Sequence, residues 1–141
     1  MRKRRTMKHN ASCQCGALEL EMAGDPDFVV ACCCRACQKR TGAPYGVGAY
    51  FPKTVVSIHG EHKTWSRSTE SGRQLSNHFC PECGTNLFWS LELRPDHLGV
   101  ALGCLATEVA EPMRVIWLKE KHDWVTFPEH WPTFDETSPP S

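Results

Sequence analysis

The chain has no run approaching the roughly 18 consecutive apolar residues that a transmembrane helix needs. It has no excess of either charge, with 16 Lys+Arg against 16 Asp+Glu. A broad nucleic-acid footprint needs surplus basic side chains on one face, so nucleic acid is not an expected partner. The basic start, Met1-Arg2-Lys3-Arg4-Arg5-Thr6-Met7-Lys8-His9, is followed by no apolar segment. It is therefore not read as a secretory signal, and a reducing, cytoplasmic compartment is expected. Internal repeats and linkers are lacking too, which leaves one domain. Its 141 residues and 40% hydrophobic content suffice for a core without staples.

Cysteine is what the chain has in quantity. Seven of nine fall in three clusters: Cys13-x-Cys15, Cys32-x-Cys34-x-x-Cys37 and Cys80-Pro-Glu-Cys83-Gly. In a reducing compartment such clusters point to metal or thiol chemistry rather than disulfides, and the odd count agrees. Zinc is the natural ligand for this spacing. Alternating strand side chains would turn Cys13 and Cys15 to one side, and likewise Cys32 and Cys34, with Cys33 pointing away. Cys80 to Gly84 has the form of a zinc knuckle: Pro81 sets the turn and Gly84 allows a positive φ.

Seven ligands divide into four and three. A structural zinc takes four protein ligands, whereas a catalytic zinc keeps one position open. Cys13, Cys15, Cys80 and Cys83 are assigned to a closed site. Cys32, Cys34 and Cys37 are assigned to an open one with an exchangeable zinc; a metal-free redox group and a second structural site are the alternatives. Cys33 and Cys104 read as small buried hydrophobes, with Cys104 as a conceivable fourth sulfur for the triad. His78, two residues before Cys80, is a candidate supporting group. Trp117, Trp124 and Trp131 are core or rim residues that could line a cleft.

The rest of the pattern is mostly strand. Strands are expected over 17–22, 28–33, 45–51, 54–59, 75–79, 85–89, 98–102 and 114–118, with one short helix over 35–40 closed by Thr41-Gly42. Residues 1–10 and 135–141 are expected to be disordered tails around a domain at 11–134.

The string from Cys32 to Pro44, with Ser12-Cys-Gln-Cys-Gly16 before it and Phe79-Cys-Pro-Glu-Cys-Gly-Thr85 after it, resembles the glutathione-dependent formaldehyde-activating enzyme family, also described as centromere protein V-like. Trp124 to Phe134 looks like that family's ending. The resemblance covers about residues 10–134. It implies a mainly β, β-tent fold of bent antiparallel sheets around zinc, with a structural zinc on the first four cysteines and a second on the triad. It also implies a carbon–sulfur lyase activity that joins formaldehyde to glutathione. Arg35 and Arg40, with Lys39, would meet the carboxylates of the thiol substrate, and Thr41 to Pro44, including Gly42, would shape the pocket wall. Cys33 and Val115 stand where the family often carries histidine. The competing class is a non-catalytic zinc module or scaffold that binds nucleic acid or protein through Arg2 to Arg5. The oligomeric state is left open.

Overall fold

The computed structural model describes residues 8–137. The strands are β1 (Lys8–Ser12), β2 (Glu19–Ala23), β3 (Phe28–Cys32), β4 (Gly46–Pro52), β5 (Val56–His59), β6 (Lys63–Ser68), β7 (Gln74–Phe79), β8 (Asn86–Leu91), β9 (Arg94–Ala101) and β10 (Arg114–Ile116). One α-helix, α1 (Arg35–Thr41), lies between β3 and β4. A small sheet runs β1-β2-β5 and a large one β10-β3-β4-β9-β8-β7-β6. Every pairing is antiparallel except that of β10 with β3. Register shifts at His78/Phe79 and Ser90/Leu91 bend the large sheet. The expected mainly β fold with one short helix is what the chain forms, and no helix among the described residues is long and apolar enough to cross a membrane.

Strand alternation gives the large sheet two faces with different tasks. Val29, Ala49, Phe51, Phe88, Leu98 and Val100 face inward and pack on Ala11, Leu18, Leu20 and Met22, which come from the small sheet and the turn before β2. The other face carries Phe28 opposite Tyr50, Tyr50 opposite Gly99, Gly99 opposite Trp89, Trp89 opposite Asn77 and Asn77 opposite Trp65. Phe28, Tyr50, Trp89, Asn77 and Trp65 of this row line a cleft, with Gly99 beneath the Trp89 ring.

Both expected tails are shorter than their composition suggested. Lys8 to Asn10 belong to β1 and pair with Glu21 to Ala23. His9 is wholly buried between Asp25 and Thr107. Its ring fills a core position because both nitrogens are satisfied there. Asp135 and Glu136 accept backbone hydrogen bonds from Lys119 and Trp117. The remaining tail residues, including Arg2 to Arg5, lie outside the described residues. The strand expected from residue 17 begins only at Glu19, and the segment from 54 opens as a 3-10 turn (Lys53–Val55) before β5. The strand β6 was not expected: it is polar and mostly exposed along its length, so it carries no alternation to read.

Candidate functional site

The four-cysteine cluster is built from two matching turns. In the β1–β2 turn the Cys13 N–H donates to the Leu18 carbonyl at 3.0 Å and the Gly16 N–H to Cys13 at 3.1 Å. In the β7–β8 turn the Cys80 N–H donates to Thr85 at 3.0 Å and the Gly84 N–H to Cys80 at 2.9 Å. Gly16 and Gly84 take φ of 82° and 77°, which a side chain would resist. Cys13 and Cys15 thus converge through a turn, not through the extended strand expected of them. The hairpin must reverse here, and the reversal swings the Cys15 sulfur back to Cys13 and Cys80, 3.7 Å from each.

That spacing fits a metal. A disulfide would need about 2.05 Å, while a tetrahedral zinc with sulfurs at about 2.3 Å sets them roughly 3.8 Å apart. All four sulfurs lie within 4.8 Å of one another. Backbone N–H groups point at two of them, Leu18 to Cys13 at 3.3 Å and Glu82 to Cys80 at 3.4 Å. The Thr85 hydroxyl accepts from the Gln14 N–H at 3.1 Å, which leaves its own proton for Cys83 Sγ at 3.2 Å. That bond leads the causes that bring Cys83 down to about 5. Cys13 is also lowered: burial opposes its charge, and the Leu18 N–H and the Cys15 and Cys80 thiols outweigh it. Cys15 goes the other way. The Ala17 N–H favours its thiolate, but desolvation and the three neighbouring sulfurs push it up to about 12. Four sulfurs cannot all carry charge together unless a cation joins them.

The triad forms where β3 runs into α1. Cys32 ends the strand; Cys34 is the N-cap of the helix, with φ −60° and ψ 153°, and its sulfur accepts the Cys37 N–H at 3.3 Å. The three sulfurs lie within 4.8 Å of one another. The Cys32 and Cys37 thiols direct their protons at Cys34, and with the Cys37 N–H and the Arg67 charge they hold it down to about 2 against its burial. Cys32 is raised, first by Cys34 and Cys37. Cys37 is favoured by Cys32, but Cys34 and burial outweigh this and leave it at about 11. A cluster with one thiolate and an open side suits a metal with an exchangeable position.

Buried Gln38 locks this corner. Its amide donates to the Cys33 carbonyl at 2.9 Å and to Glu120 at 3.1 Å, and its oxygen accepts from Arg35 at 2.9 Å. No sequence signal marked it, because its role depends on partners 82 residues apart. The αL residue Gly42 closes the helix at φ 66° with its N–H on Gln38. Thr41 turns its hydroxyl back to the Cys37 carbonyl at 2.9 Å. Thr41 and Gly42 are therefore helix-closing residues and are not among those lining the cleft, contrary to expectation. Thr41 is the last residue of α1 and Gly42 its C-cap, while the triad gathers at the first turn.

The cleft encloses about 1760 Å³. Cys32, Cys34 and Cys37 line it, together with Arg35, Lys39 and Arg40. Arg67, Arg73, Arg94, Arg114 and Lys119 join them, against Glu70, Glu120 and Glu136, so the lining is strongly cationic. On the floor, the Trp89 indole lies across Gly48 and Gly99. A Cβ on Gly48 would come within 2.5 Å of the ring, and one on Gly99 would overlap it. The Arg40 guanidinium sits 4.3 Å from the indole centroid. Gly46 lets Arg40 in: a Cβ there would meet its guanidinium at 2.5 Å. These glycines are the signal that sequence reading passed over.

Of the three tryptophans considered, Trp117 lines the cleft, with φ 58°. Trp131 packs near Cys33, and Trp124 is 70% exposed. Cys33 and Val115 are both wholly buried in one small cluster with Ala31, as Cys33's outward turn from the triad predicted. Neither faces the cleft, so the two departures from the family pattern change the core rather than the cleft wall. Cys104 packs in the main core with Cys13 and Cys83 for neighbours, not the triad. His78 stacks on Phe88 at 4.6 Å and hydrogen-bonds Thr64 and Ser90, so its place is in the sheet rather than behind a metal ligand.

A solved structure of a Rhodobacter sphaeroides protein shares this fold: TM-score 0.54 and 20% identity over 73% of this chain and 91% of that one. A family model described as glutathione-dependent formaldehyde-activating enzyme matches residues 8–120. That match takes in all three cysteine clusters and most of the cleft, and the chain belongs to the glutathione-dependent formaldehyde-activating enzyme family.

Proposed function

We infer that this protein is a carbon–sulfur lyase that adds the thiol of glutathione, or of a similar small anionic thiol, to formaldehyde or another small aldehyde. The observation that carries the reading is the placement of the three triad sulfurs in the lining of a cationic cleft. The other four cysteines are assigned a structural zinc, and the triad an exchangeable one.

A zinc ion on Cys32, Cys34 and Cys37 would supply Lewis acidity and a position for a thiolate or carbonyl oxygen. The residues of the chain do the rest. Arg40, stacked on Trp89, and Arg35, held by Gln38, present guanidinium groups one turn and more along α1. Glutathione has two carboxylates, and paired arginines suit them. Arg67, on β6, already acts electrostatically on Cys34 and would keep the incoming sulfur ionised. Phe28, Val30 and Ile116 make the wall nearest β3 apolar and limit water there.

The test replaces one triad sulfur. Cys34→Ser should lower turnover of glutathione and formaldehyde by more than roughly 10³-fold, with an unchanged melting temperature. Turnover within threefold of the parent protein would overturn the reading.

A further inference from the structure

Tyr50 occupies a place on the cleft floor that packing alone does not account for. Its ring stacks on Phe28 at 4.8 Å between centroids and leans back along β4, with one edge carbon 3.5 Å from where a Gly48 Cβ would be. Leaning that way carries it toward Gly46, which pairs with Cys32. The Trp89 indole N–H donates to the phenol oxygen at 3.1 Å. An indole can only donate, so the phenol is fixed as acceptor on that side. Its own proton has no acceptor among the described residues. A half-buried hydroxyl with one bond made and one proton free, in the cleft that Cys32, Cys34 and Cys37 also line, is prepared for a ligand oxygen.

We propose that Tyr50 is a catalytic residue that hydrogen-bonds the aldehyde oxygen and delivers a proton to it as the thiol sulfur adds. This rests on the reading of the protein as a thiol–aldehyde enzyme. In the step, the carbon–sulfur bond forms and the C=O π bond breaks. Its electron pair moves onto oxygen, and oxygen takes the Tyr50 proton. The proton that the thiol gave up on ionising returns to the phenolate through cleft water, so thiol plus aldehyde equals the hydroxymethyl thioether with nothing left over. Burial pushes the phenol up to about 12, ahead of the opposing Trp89 bond, so the proton is in place at neutral pH. Trp89 is the positioning residue, and Gly48 and Gly99 give it room.

The experiment pairs turnover with binding of unreactive product analogues. Tyr50→Phe should lower kcat by roughly 10²-fold, the usual loss for one such donor, with the KM for thiol within threefold and zinc content unchanged. The parent protein should bind S-(2-hydroxyethyl)glutathione roughly three- to tenfold more tightly than S-propylglutathione, the size of one hydrogen bond, and Tyr50→Phe should erase that preference. A kcat within threefold of the parent, or a preference that survives the substitution, overturns the assignment. If the parent protein turns over no aldehyde, the enzymatic reading fails, and the analogue preference alone decides Tyr50: its loss in Tyr50→Phe supports the donor role, while its persistence, or no binding of either analogue, refutes it.

Discussion

Small residues do much of the positioning in this protein. Trp89 is only 5% exposed although it lies on the cleft face, because Gly48 and Gly99 leave a trough for its ring and Arg40 covers it. Gly99→Ala would drive a methyl into the indole nitrogen, and the backbone of β9 cannot yield without disturbing two pairings. The expected cost is about 1–3 kcal/mol, typical of overpacking, read as a lower urea midpoint with an unchanged slope. Altered tryptophan fluorescence should accompany it. The effect should exceed that of Gly103→Ala, where a Cβ would meet open space.

At the scale of elements, the short strand β1 matters more than its polar sequence suggests. Its inward residues are His9 and Ala11, both buried. His9 reaches Asp25 at 2.8 Å and also bonds Thr107, so it ties the first strand to the loop after Cys104. His9→Ala removes two hydrogen bonds and opens a cavity beside Phe51, whose ring is 6.0 Å away. A loss of about 2–3 kcal/mol is expected, measured by chemical unfolding; a loss under about 0.5 kcal/mol would show that the tie is dispensable. The same element explains a limit of sequence reading. A buried histidine breaks the apolar alternation that would announce a strand, so Lys8 to Asn10 looked like tail. Helix α1 was legible because its stop signal is local, a glycine at position 42 that takes the αL conformation; the Cys34 N-cap became visible only in the structure.

For the whole molecule, the two cysteine clusters should behave differently when disturbed. The four-cysteine cluster joins the β1–β2 and β7–β8 turns, some 65 residues apart, and so bridges the two sheets. The triad lies within one short stretch and closes no long loop. Cys80→Ser should therefore lower the melting temperature by on the order of 10 °C or more, whereas Cys34→Ser should change it little. Elemental analysis should find about two zinc ions per chain, falling toward one when glutathione is added in excess. Equal thermal losses for both variants would remove the distinction between a structural and a reactive cluster.

The sequence by itself determined the two cysteine groupings that could hold a metal, the mainly β class and the one helix; much of that is written in short spacings. Cys80 to Gly84 cannot avoid a tight turn, and Cys32 to Cys37 cannot avoid gathering three sulfurs at a helix start. Only the tertiary structure decided what surrounds them. Strand order brings Phe28, Tyr50, Gly99, Trp89, Asn77 and Trp65 into one row across the six strands beyond β10. Long-range pairing of this kind is set by burial of the opposite face, not by local preference. The same pairing sent Cys33 and Val115 into the core together. It left Arg67, 33 residues beyond Cys34, acting on that thiol.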